Sequence, residues 1–256
     1  MWNNTRLLNL FANTLFLLGA LIVFQLVAIA IINSPWLPVR SLQVQGELAH
    51  ITQAQIRGAL TGRPMGNFFS ADLGLIRERL ESLPWVRAVE VRRGWPDRLE
   101  VTIEEHRAFA RWSDTHLVNT YGEVFEGTLP RGLPIPLPRF AGPAGAALEL
   151  THRFHQFREI LRPLELEPTH LTLSPRYAWE LRLSDGLVVE LGRDQGRSST
   201  NDRLERFVAA YPRTLATLNR KLSYVDLRYP NGFALRVPEL ANEAPAKAVA
   251  PRAKRV

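Results

Sequence analysis

The chain has 256 residues, 46% hydrophobic and 22% charged, with a formal net charge of +7. That is enough for one large domain or two small ones, and it excludes a disordered or collagen-like chain. With no cysteine, a disulfide framework, a thiolate zinc site and a cysteine nucleophile are all excluded. Lysine occurs only at Lys221, Lys247 and Lys254, so arginine carries the positive charge. The arginines are scattered and mostly alternate with acids, as in Arg77-Glu78-Arg79, which reads as a solvated surface. A nucleic-acid binder gathers its charge on one element with interleaved aromatics. The sequence has no such stripe, and neither nucleic acid nor a small-molecule substrate is expected as a partner.

From Leu15 to Ile32 runs a stretch of eighteen residues whose only polar side chain is Gln25. At about 1.5 Å of helical rise per residue it spans roughly 27 Å, close to the hydrocarbon thickness of a bilayer. Extended back to Phe11, it is expected to form a transmembrane helix over 11–34, preceded by a short cytoplasmic tail, 1–10. Trp2 and Trp36 bracket it, as rings seated at the two interfaces would. Arg6 lies on the short side and no basic residue follows until Arg40, so the N-terminus stays cytoplasmic and everything after Pro35 crosses the membrane. The rival is a cleavable signal peptide, since Ala28-Ile29-Ala30 has a small-x-small form. Against it, the apolar run continues through Ile31 and Ile32, beyond the usual length of about 7–15 residues.

A first folded unit is expected over 38–110. Leu42 and Val44 alternate with Ser41, Gln43 and Gln45, a half-buried strand ended by Gly46. Thr52-x-x-Gln55 is a capping box, and Ile51 and Ile56 stand at hydrophobic-staple positions. Ile56 and Leu60 carry that helix until Gly62 and Pro64. A second helix is expected from Ser70, with Leu73, Ile76, Leu80 and Leu83 on one stripe and Pro84 as its end. Val89 and Val91, then Leu99, Val101 and Ile103, alternate with charged or polar residues as two strands joined at Gly94-Trp95-Pro96-Asp97. The order is β-α-α-β-β, with both helices on one face of a three-stranded sheet.

This order, with Val44-Gln45-Gly46, Leu83-Pro84-Trp85-Val86, Arg93-Gly94-Trp95-Pro96, Leu99-Glu100-Val101 and Glu105-His106-Arg107-Ala108, closely resembles the POTRA domain. A single membrane span directly before a single POTRA domain resembles the bacterial cell-division FtsQ/DivIB family. Outer-membrane barrel assembly proteins also carry POTRA domains, but they continue into a barrel of many strands.

A second unit is expected over 111–238. Val118–Phe125 reads as strand, turn, strand, and a Pro-rich loop follows through Pro130, Pro134, Pro136 and Pro138 to Gly142-Pro143. Leu150, Phe154, Phe157 and Leu161 mark a helix closed by Pro163. Trp179-Leu181-Leu183 and Leu187-Val189-Leu191 flank Ser184-Asp185-Gly186, a hairpin signal. Residues Asn201 to Tyr211 form another amphipathic helix. A last hairpin pairs Tyr224–Arg228 with Phe233–Val237 across Tyr229-Pro230-Asn231-Gly232. The family resemblance continues through Ala178-Trp179-Glu180-Leu181, Leu191-Gly192-Arg193, Arg203-Leu204-x-Arg206-Phe207, Val225-Asp226-Leu227-Arg228-Tyr229 and Gly232-Phe233. The fold class is therefore α+β: one N-terminal transmembrane helix, a POTRA domain, then a mixed domain dominated by an antiparallel β-sheet with helices. Residues 239–256, rich in Ala and Pro with basic side chains, read as a disordered basic tail.

No catalytic constellation stands out. His152 and His155 are one helical turn apart, but no acid in the pattern completes a metal site, and they read as surface histidines. Gly192–Ser199 shares glycines with a phosphate loop, yet has the wrong spacing and lacks the lysine, so a capped strand-to-helix turn explains it better. Glu104 and Glu105 are adjacent on a strand and point to opposite faces, so they cannot flank one bond. No enzyme activity, cofactor or metal is expected.

A binding protein instead exposes sheet edges. The strand Phe233–Val237 is followed at once by Pro238, so it is placed at an edge, where unpaired N–H and C=O groups accept an incoming strand. Arg228 and Tyr229 are of the types enriched at binding hot spots. The resemblance implies more. In the family this C-terminal edge binds the small single-span partner of the FtsB/DivIC type, with FtsL joining. The carried-over contacts fall on Arg228, Tyr229, Asn231, Gly232 and Phe233, with Arg176 in the loop before Trp179 as a further candidate. The implied function is a non-enzymatic scaffold of the divisome in the bacterial inner membrane, periplasmic in bulk, at the septum. It would link early and late division proteins and control septal peptidoglycan synthesis. The alternative is a POTRA-containing accessory of envelope protein transport.

Overall fold

The computed structural model describes residues 5–32, 38–61, 67–129, 136–194, 198–215, 222–229 and 232–236. Trp2, Trp36, Gly62, Pro64, Pro230, Asn231 and the tail 239–256 lie outside the described residues. The chain divides into two compact units, Met1–His106 and Arg107–Val256.

Helix α1 runs over Thr5–Ile32 and so begins six residues before the expected span. Within it, Leu8–Ala30 is long and apolar enough to cross a membrane, and its side chains are not buried by the rest of the chain. Its Thr14 hydroxyl donates back to the carbonyls of Leu10 and Phe11 at 2.8 and 2.9 Å, which leaves no lone hydroxyl donor in the apolar run.

The first unit follows the β-α-α-β-β order: β1 (Ser41–Gln45), α2 (Gln53–Leu60), α3 (Leu73–Glu81), β2 (Val86–Gly94) and β3 (Arg98–Glu105). The capping box forms at the start of α2: the Thr52 N–H donates to Gln55 Oε1 at 2.8 Å, and the Gln55 N–H donates to Thr52 Oγ1 at 3.3 Å. Helix α3 starts later than expected, with Asp72 as its N-cap accepting from the Leu75 N–H at 3.0 Å. The physical reason is that Ser70 is already committed. Its N–H and hydroxyl both donate to Asn67 Oδ1, at 2.8 and 2.9 Å, in a turn of their own.

The sheet order is β1-β3-β2, with β1 parallel and β2 antiparallel to β3. Leu99, Val101 and Ile103 are buried in the central strand against Ile56, Leu60, Ile76 and Leu80 of the two helices. Removing a side chain such as Leu80 from so closed a core costs about 2–5 kcal/mol. Three motif residues acquire physical reasons here. Arg93 donates to the carbonyls of Phe68, Ala71 and Phe69 at 2.8, 2.9 and 3.2 Å, which ties the loop before α3 to β2. Gly46, at φ +141, lies so near β3 that a Cβ would stand 2.3 Å from the Ile103 carbonyl oxygen. Glu105 accepts the N–H groups of Ala49, His50 and Ile51 at 3.0–3.1 Å, and the His50 ring stacks on Trp85 at 3.8 Å.

The second unit holds β4 (Ala108–Arg111), β5 (His116–Asn119), β6 (Val124–Glu126), β7 (Arg139–Ala141), α4 (Ala147–Leu161), β8 (Pro168–Leu173), β9 (Trp179–Leu183), β10 (Val188–Gly192), α5 (Thr200–Ala210), β11 (Tyr224–Asp226) and β12 (Ala234–Arg236). They form one nine-stranded mixed sheet, β12-β11-β10-β9-β8-β7-β4-β5-β6. The pairs β4–β7, β7–β8 and β10–β11 are parallel and the others antiparallel. Strand β4 lies in residues assigned from sequence mainly to the first unit, yet its partners β5 and β7 are both in the second sheet. Strands β7 and β8 were not expected. One is three residues inside the Pro-rich stretch, and the other's His170-Leu171-Thr172-Leu173 alternation is short.

Helices α4 and α5 bury Phe154, Phe157, Leu161, Leu204 and Phe207 against Leu171, Leu181, Val189 and Val225 on one face of the sheet. Ser199 caps α5, with Asp202 completing the box. The buried Arg203 guanidinium donates to the carbonyls of Leu191, Arg193 and Ser198 at 2.6, 2.8 and 3.0 Å, locking the β10-to-α5 connection. That helical connection is what lets β10 and β11 run parallel.

Candidate interaction edge

Strand β12 closes one edge of the large sheet, and no described strand pairs with its outer side. It is held antiparallel to β11, with Tyr224 opposite Arg236, Val225 opposite Leu235 and Asp226 opposite Ala234. All three of its residues are exposed, Leu235 included. An edge strand that no described strand pairs with, carrying an exposed leucine, is the template that strand addition uses.

Arg228 stands two residues beyond the end of β11. Its backbone N–H and Nε donate to Asp226 Oδ1 at 3.0 and 2.9 Å, and its Nη2 donates to Oδ2 at 2.6 Å. Asp226 is 5% exposed, whereas the Arg228 side chain is 55% exposed. The Arg228 hydrogen bonds hold the Asp226 carboxyl below the usual carboxylate range, and Asp226 in turn raises the guanidinium. The fork is thus preorganised by a buried carboxylate while one side of it stays open.

Gly192 makes room for this arrangement. At φ +71, a Cβ there would stand 2.8 Å from Arg228 Cγ. Burial raises the neighbouring Glu190 carboxyl, Arg228 opposes that shift, and the Glu180 and Asp226 carboxylates add to it.

Tyr229 is 55% exposed. Gly232 is also exposed, but Phe233 is partly buried in the unit's own core, edge-to-face with Phe207 at 6.3 Å. Phe233 therefore anchors the entry to β12 as much as it offers a surface. Asn231 lies outside the described residues.

Arg176 is exposed in the turn between β8 and β9, beside the exposed Tyr177 at φ 59. Trp179 at the start of β9 pairs with Gly192 at the end of β10, and β10 runs parallel to β11. Arg176, Arg228, Tyr229 and Phe233 therefore share one end of the sheet, with β9 and β11 about 10 Å apart. Sequence reasoning passed over Leu235 and Arg236 on β12 itself. The Arg236 guanidinium lies 5.6 Å over the Tyr224 ring. The signal was the alternation Phe233, Leu235 along the expected strand.

Among the described residues no group of three His, Asp or Glu side chains is placed to hold a metal. His155 instead stacks on Phe109 at 4.9 Å.

A helix long and apolar enough to cross a bilayer, followed by two separately cored α+β units, is the architecture of a membrane-anchored protein, and among the described residues its second sheet ends in an unpaired edge strand. Residues 37–106 match the family described as POTRA domain, FtsQ-type, and residues 110–228 match the one described as cell division protein FtsQ/DivIB, C-terminal. The chain is 42% identical over 237 residues to the cell division protein FtsQ of Burkholderia pseudomallei, covering 92% of this chain and 94% of that one. It is 40% identical to FtsQ of Nitrosospira multiformis (92% and 99% covered) and 35% identical to FtsQ of Bordetella pertussis (95% and 95%). The chain belongs to the FtsQ/DivIB family, and its role is in bacterial cell division.

Proposed function

We propose that the protein is a non-enzymatic scaffold of the divisome in the inner membrane, with a cytoplasmic N-terminus, a periplasmic bulk and a place at the septum. The first unit recruits other division proteins. The second holds an FtsB-type single-span partner, with an FtsL-type protein joining, by strand addition along β12. In this way the protein links early and late division proteins and controls septal peptidoglycan synthesis.

The observation that carries this reading is the exposed edge strand β12, with the Asp226-braced Arg228 and the exposed Tyr229 beside its entry. Backbone pairing supplies affinity in such a contact, and the aromatic and guanidinium groups supply orientation. Gly232 lets a strand approach closely, and Asn231 and Arg176 add to the contact.

The test is capture of the partner's periplasmic segment by the full chain in detergent, comparing wild type with Tyr229→Ala. Loss of affinity by about tenfold or more, equivalent to about 1.4 kcal/mol, supports the edge anchor. Undiminished capture moves the interface to another surface.

A further inference from the structure

The cross-strand register of the large sheet brings together side chains that are far apart in the chain. Arg111 on β4 stands opposite Arg139 on β7, Arg139 opposite His170 on β8, and His170 opposite Arg182 on β9. Phe140, Leu171 and Leu181 point into the helix-covered core. Their immediate neighbours Arg139, His170 and Arg182 therefore point to the opposite face. Four basic side chains thus form one row across four adjacent strands.

Like charges directly opposite one another, as Arg111 and Arg139 are, destabilise a sheet. Among the described residues little relieves them. Asp114, itself almost fully exposed, approaches Arg139 at 3.6 Å, and Glu167 is taken by Arg158 at 2.9 Å. Glu180 sits one pair further along the strands, opposite Thr172 and Glu190 rather than in the row. Among the described residues no carboxylate forms an ion pair with Arg111 or Arg182. The row senses itself: burial first, then the charges of Arg182 and Arg139, push the His170 imidazolium below its usual pKa.

We infer that this row forms a second docking surface, for an acidic helical segment of a partner protein.

The spacing selects the helix. Strands about 4.8 Å apart set the four basic groups over roughly 14 Å. Acids at i, i+4, i+7 and i+11 of a helix cover roughly 16 Å, whereas four same-face acids on an extended strand cover about 20 Å. This surface lies on β4, β7, β8 and β9, away from β12, so it does not depend on the edge reading.

The experiment uses the full chain in nanodiscs of zwitterionic lipid. The probe is a labelled helical peptide with Glu at i, i+4, i+7 and i+11, set against a scrambled peptide of the same composition. The readout is fluorescence anisotropy. Binding of the ordered peptide should exceed that of the scrambled one and should fall about tenfold or more in Arg139→Gln/Arg182→Gln, as expected when two close charge contacts are lost. It should be unchanged in Arg57→Gln/Arg79→Gln, which removes the same net charge from the first unit, and in Tyr229→Ala. Thermal melting of each variant establishes that it is folded, and Arg182→Thr serves as the second variant if the double substitution unfolds. Equal binding of the two peptides, equal losses in the two double variants, or no binding overturns the inference. So does row-dependent binding to phosphatidylglycerol vesicles with none to the peptide, which would make the face a membrane contact.

Discussion

The outward faces of the two sheets use similar residues to opposite effect. On the three-stranded sheet, charges of opposite sign are neighbours: Arg92 stands opposite Glu100, and Arg87 reaches Glu104 at 3.0 Å. On the nine-stranded sheet the signs are sorted. Arg111, Arg139, His170 and Arg182 occupy one row, while Glu180 and Glu190 lie opposite each other in the next, with Asp226 beyond. A mixed surface satisfies itself and needs no partner. A sorted one leaves potential unspent, which steers an oppositely charged partner and fixes its orientation.

The largest expected effect probes whether the two regions are energetically separate at all. Phe157 is fully buried in the second core, which shares no residue with the first. Phe157→Ala should destabilise the second unit by about 3–5 kcal/mol. Hydrogen exchange should show β9 and β10 opening while β3 keeps its protection. Simultaneous loss in β3 would refute separate cores.

A smaller effect is expected in the first unit alone, at Glu105. Burial pushes its carboxyl up, but the N–H groups of Ala49 and His50, the His50 ring and the Ile51 N–H outweigh that, so its pKa lies below the ordinary value. A depressed carboxylate contributes stability that is present above the unfolded pKa of about 4.3 and lost as pH falls through the lower folded value. Glu105→Gln should cost about 1.5–3 kcal/mol at neutral pH. In denaturant titrations, the variant's loss relative to wild type should shrink below about pH 4. A loss that does not depend on pH would contradict the role assigned to the carboxylate.

The smallest effects sharpen the contrast most, because their signs differ. Arg92→Glu places an acid beside Glu90 and Glu100 and should destabilise the first sheet by about 0.2–1 kcal/mol. Removing the charge with Arg182→Gln relieves the row without setting an acid beside Glu180 and should stabilise the second by a similar amount. Imidazole NMR titration should then find the His170 pKa moved up, towards its usual value. Because the native depression is lost as stability when pH falls below about 6.5, this variant should also lose less stability between pH 7 and 5 than wild type does. Equal signs at the two sites would remove the distinction between the faces.

Much of the local structure was legible in the residues. The apolar run from Leu15 to Ile32, the Thr52–Gln55 box and the hairpin signal at Ser184-Asp185-Gly186 all act within a few residues of themselves. Each therefore appears where its pattern stands. Ser70 misled because two side chains compete for the same role: its hydroxyl serves Asn67, and the cap passes to Asp72. Strands β4, β7 and β8 were hard to read for a different reason. They are short, and their partners lie far away in the chain, so neither propensity nor periodicity marks them. Of the candidate edge, the placement of β12 after β11 followed from its hairpin pattern. The bracing of Arg228 by Asp226, and its contact with Gly192, depended on how β10 sits beside β11.

The sequence by itself therefore determined the apolar span, the capped helices, the local hairpins and the motifs that place the chain in its family, because each depends on neighbours within a turn or two. Arginines that look scattered along the chain, by contrast, become a row only through pairing between distant strands. Register moves side chains from one face to the other in steps of a single residue. Which charges meet was decided by the tertiary structure.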